Sequence, residues 1–60
     1  MNTTRTAATI ALGSTFTAHD GTVVTVHARE AAVSAELVLL HVSEDGGPIE
    51  VHAFGVDAAL

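Results

Sequence analysis

Turn-forming residues interrupt this chain so often that little room is left for a helix. They fall at Gly13, at His19-Asp20-Gly21 and at Glu44-Asp45-Gly46-Gly47-Pro48. Between them, residues 22–30, 36–43 and 49–54 are rich in valine and other β-forming side chains and alternate at period two. The one helical competitor spans 29–40, where Ala31, Ala32, Val33, Ala35 and Glu36 are compatible with a helical turn.

The turn chemistry also predicts a register. His19-Asp20-Gly21 suits a type I turn closed by a left-handed glycine, the three-residue hairpin loop. Ala18 then faces Thr22, and Phe16 faces Val24. A second hairpin looped through Asp45, Gly46, Gly47 and Pro48 sets Val42 opposite Val51 and Leu40 opposite Ala53. If 22–30 pairs with 36–43 around a 31–35 loop, one face holds Val24, Val26, Ala28, Val38, Leu40 and Val42. Ile49, Val51 and Ala53 complete it, and this face is the expected core. The expected fold is all-β: a small antiparallel sheet or SH3-like barrel of four to five strands with a flexible N-terminal arm. The arm is assigned to 1–7, which lacks an apolar pattern, and a single domain to 8–60.

Sixty residues support one thin core, and no cysteine is present to reinforce it with a disulfide. The composition is globular, with 48% apolar and 15% charged residues. Two arginines and no lysine oppose seven acids, for a formal charge of -5. Phosphate recognition depends on clustered Lys and Arg, so neither nucleic acid nor an anionic membrane surface is expected as a partner. The apolar stretch 7–12 behind Arg5 is too short and too polar for a signal peptide. The expected location is therefore cytoplasmic or virion-associated rather than secreted.

Chemistry is sparse. No serine lies in a GxSxG turn, and neither a P-loop nor a dinucleotide fingerprint is present. The only adjacent acids, Glu44-Asp45, lie in a turn. The expectation is no enzyme and no cofactor.

What stands out is the second face of the sheet. In the register above it carries Val23, Leu37, Leu39 and Phe54, with Leu39 directly opposite Phe54. Antiparallel faces open to water are normally polar, so these four residues form a candidate interface. The same face brings His27, His41 and His52 together as a candidate pH-sensing or metal-binding cluster. The expected function is a protein-binding or assembly module that self-associates as a homo-oligomer or docks on a larger assembly, in the manner of a phage structural or decoration subunit. The alternative is a small acidic inhibitor or antitoxin-like protein that occludes a basic surface of its target.

Overall fold

A computed structural model describes residues 5–60 of the chain. Four strands, β1 (Thr15–Thr17), β2 (Val23–Ala31), β3 (Leu37–Glu44) and β4 (Ile49–Gly55), form one antiparallel sheet in the order β1-β2-β3-β4. The all-β expectation holds. No helix occurs among the described residues, so none crosses a membrane, and the helical competitor at 29–40 is instead the end of β2, a turn and the start of β3.

The first hairpin follows the sequence-based register. Phe16 pairs with Val24, the Ala18 N–H donates to the Thr22 carbonyl, and Gly21 takes a φ of +88° that a side chain would oppose. Asp20 stabilises the corner because its Oδ1 accepts the Thr22 N–H at 3.0 Å. The hydrogen bonds from Thr22 hold the Asp20 pKa below its ordinary value of 3.8.

The β3–β4 register differs from expectation by one residue. Asp45 and Gly46 have φ of 51° and 76°, and the Gly47 N–H donates to the Glu44 carbonyl at 2.8 Å. Positive φ at both central positions defines a type I′ two-residue turn, which matches the right-handed twist of its flanking strands. Pro48, which has no N–H to donate, is left as an extra residue before Ser43 pairs with Ile49. A shift of one residue turns every β4 side chain to the other face. Leu40 now meets His52 and Val38 meets Phe54, while Ile49, Val51 and Ala53 leave the expected core for the opposite face.

A β-bulge makes the second change. Val26 pairs with Val42, but Ala28 pairs with His41, so His27 is an inserted residue. Beyond it, Ala28 shares the register position of His41, and Arg29 shares that of Leu40. Ala28 is thereby only half-buried, whereas Val24, Val26, Val38, Leu40 and Val42 are buried as expected.

The core face is covered by a segment that the sequence pattern did not reveal. A turn closed by the Thr9 and Ile10 N–H groups on the Thr6 carbonyl places Ala7 and Ile10 on one side, and both are fully buried. Backbone bonds from Ala7 to Ala58, Ala8 to Val56 and Leu60 to Arg5 fasten this segment to the chain after β4. Residues 5–7, assigned by the sequence to the arm, are therefore docked, and residues 1–4 of that arm lie outside the described residues. Both arginines act as clamps. Arg29 Nη1 donates to the Ile10 carbonyl at 2.6 Å, and Arg5 Nη2 donates to the Thr15 carbonyl at 3.1 Å.

Two measurements follow from this arrangement. Replacing Arg29→Ala removes a charged donor from the Ile10 carbonyl and should lower unfolding free energy by about 1.5–3 kcal/mol in urea titrations. Arg29→Lys should recover only part of the loss. For Asp20, a folded-state pKa below the unfolded value contributes stability that is complete above the unfolded value and disappears as pH falls through the folded one. Asp20→Asn should therefore melt below wild type at neutral pH, with the gap closing in strong acid.

Candidate interaction surface

The face of the sheet turned away from the core presents the strongest unexplained feature. On β3 and β4 it consists of register-paired positions: Leu39 opposite Ala53, His41 opposite Val51, and Ser43 opposite Ile49. Val51 is 52% and Ile49 58% exposed, an apolar row along β4 that alternation would ordinarily fill with polar residues, and Leu37 at 41% and Val23 at 45% are exposed elsewhere on the same face. Leu39 is half-buried.

A polar strip crosses the same face beside this row. The bulge turns His27 so that its Nε2 lies 2.8 Å from Ser43 Oγ, giving a partner to the one buried polar side chain among the described residues. His41 Nε2 meets Glu30 Oε2 at 2.9 Å across β2 and β3. Each imidazole thus has a local partner.

Three of the four expected interface residues, Val23, Leu37 and Leu39, occupy this outer face. Phe54 does not. The β4 shift puts it beside Val38 on the core face, where it packs edge-to-face on Phe16 with ring centroids 6.3 Å apart and planes at 89°. The expected histidine cluster is divided by the same shift. His27 and His41 lie on the outer face, whereas His52, opposite Leu40, lies on the core side.

His52 instead joins two acids. Its Nε2 is 3.4 Å from Glu50 Oε1, and one ligand atom from each of Glu44, Glu50 and His52 falls within 4.8 Å of the others. All three side chains are exposed; Glu44 and His52 form the rim of a cleft of about 180 Å³ otherwise lined by Phe16, Ala18, Val24, Val42 and Phe54, and Glu50 sits beside them. The cleft marks an open seam between β1 and β4. Apart from the ladder to β3, no backbone hydrogen bond reaches residues 49–54 among the described residues, so β4 has a bare edge.

Sequence reasoning overlooked Ile49 and Val51 because it read Asp45 through Pro48 as a four-residue loop. The Asp-Gly pair was the available signal, since that dipeptide favours a two-residue turn. No protein-family model matches this chain, and neither curated proteins nor solved structures yield a match. Its class is defined by the fold itself: a small all-β domain built on one four-stranded antiparallel sheet.

The polar strip has a direct test. Ser43→Ala leaves the His27 ring without its hydroxyl partner and should cost about 1 kcal/mol in denaturant titrations. Moving the histidine signal by NMR, without broad changes elsewhere, should accompany that loss.

Proposed function

We propose that this chain is a non-enzymatic assembly module that associates with a second copy of itself through β4 and the outer face beside it. The observation that carries the reading is the exposure of Ile49 and Val51 along an edge strand. Contiguous exposed apolar surface is a mark of association, and a bare edge supplies a row of backbone donors and acceptors for another strand. Charged residues commonly blunt such edges in monomeric proteins, lysine above all. This chain has no lysine, and Glu50 is the only acid within β4.

Self-association also answers the thinness of the core. Among the described residues only seven apolar side chains are buried, two of them contributed by the N-terminal cover. A partner surface adds apolar burial that a domain of this size cannot obtain alone, at roughly 25 cal/mol per Å² removed from water. Symmetric pairing is the commonest way for one chain to meet that need.

A second reading is an acidic domain that occludes a basic surface. It draws support from the proximity of Glu44 and Glu50 at the cleft rim and from the net charge of -5. The two readings separate on mass. Light scattering coupled to size exclusion should give a discrete oligomer for the wild type, whereas a monomer at every concentration removes the assembly reading. Val51→Asp and Ile49→Asp should each shift the oligomer toward monomer. Because both positions are half exposed, the unfolding free energies of the variants under monomeric conditions should stay within about 1 kcal/mol of wild type, the cost of aspartate in a strand.

A further inference from the structure

We infer that the second copy adds to β4 as an antiparallel strand about a two-fold axis through Val51, so that Glu50 of each chain lies opposite His52 of the other. This rests on the self-association reading above and specifies its geometry. Three constraints of the structure select the register.

The first is the length of the free edge. Pro48 ends it on one side, having no N–H to offer. On the other side the chain beyond Gly55 is already bonded to the N-terminal segment, through Val56 to Ala8 and Ala58 to Ala7. Near that end the Phe16 ring lies against Phe54. Residues 49–53 are what remains for a newcomer.

The second constraint is the pleat. Residues opposite one another in an antiparallel pair project on the same side of the sheet. Ile49, Val51 and Ala53 project outward, and Glu50 and His52 project toward the cleft side. A continuous two-fold sheet must therefore pair outward residues with outward ones, which requires the axis to pass through a residue rather than between two. Within the free edge only Glu50, Val51 and His52 can serve as centres with at least three residues paired.

The third constraint is charge. Centring on Glu50 sets Glu50 against its own copy, and like charges directly opposite are unfavourable. Centring on His52 sets two imidazoles together, pairs only residues 51–53, and sends Glu50 to position 54, outside the free edge. Centring on Val51 places Glu50 opposite His52 twice, Val51 against Val51, and Ile49 against Ala53. In that arrangement both carboxylates face an imidazole, and the outward strip becomes wholly apolar across the joint. Glu44, Glu50 and His52 already lie close together at the rim, so the incoming His52 meets an acidic neighbourhood.

The chain has no cysteine, so single introduced thiols can report the register without background. Opposed residues in an antiparallel pair have Cα atoms about 4.5–5.5 Å apart, within the span a disulfide accepts. Under mild oxidation Val51→Cys should convert to disulfide dimer nearly completely. Ile49→Cys and Ala53→Cys should each remain unlinked alone and should cross-link when mixed. Leu37→Cys, on the same face but on β3, serves as the accidental-collision control. As an independent check, Glu50→His should weaken dimerisation ~5-fold, and the exchanged pair Glu50→His with His52→Glu should restore it. A wild-type dimer in which Val51→Cys links no better than Leu37→Cys, or in which Ile49→Cys links to itself, overturns this register and leaves the assembly reading standing. A wild type that is monomeric at every concentration overturns both.

Discussion

Asp45 occupies the position on which the arrangement of the sheet turns. Its backbone N–H donates to the Val23 carbonyl at 2.9 Å, and its Oδ1 accepts the Val23 N–H at 3.2 Å, so the corner between β3 and β4 is tied to the start of β2. The residue adopts a φ of 51°, which aspartate tolerates better than most side chains. Held there, it forms the first half of a two-residue turn, and that turn decides which half of β4 points inward. With the corner fixed, Phe54 reaches Phe16, and Ile49 and Val51 are left in water.

The bulge at His27 acts at the opposite edge of β3 with a comparable effect. Without the inserted residue Ala28 would stand over the core and Arg29 would point outward. With it, Arg29 stands beside Leu40 and reaches the carbonyl of Ile10, so a local irregularity in β2 supplies the clamp for the covering segment. The inserted His27 is itself used, through its bond to Ser43. Turn and bulge therefore sort the side chains together: one chooses what the core receives from β4, and the other chooses what holds the cover on.

Much of this was legible in the sequence. The alternation at Val24 and Val26 and at Val38, Leu40 and Val42 gave both central strands and their buried side, because period two needs no tertiary information. His19-Asp20-Gly21 gave the first hairpin with its pairing, since the glycine at the left-handed position admits few alternatives. The β4 face was lost to one misjudged residue of loop length, which carried Phe54 and His52 to the wrong side along with Ile49 and Val51. The bulge left no trace in the pattern, because Ala28 is as compatible with a core position as with a half-exposed one. Ala7 and Ile10 were hidden for a different reason. Their burial depends on contacts with residues beyond β4, which no local window contains.

Strands that are neighbours in the sheet are also neighbours in sequence, whereas the bridge between Thr6 and Ala59 joins the far ends of the described chain. Contacts between adjacent hairpins close short loops at small entropic cost, whereas the terminal bridge closes a loop that spans nearly all of the described chain. The meander can therefore assemble first and the cover settle onto it last. In the native ensemble the order reverses: the cover is the piece whose release disturbs the fewest ladder bonds. A transient lifting of residues 5–10 would bare Val26 and Leu40 while the four strands stay paired. The domain thus joins a sheet encoded by local patterns to a cover encoded only by contacts between its two ends.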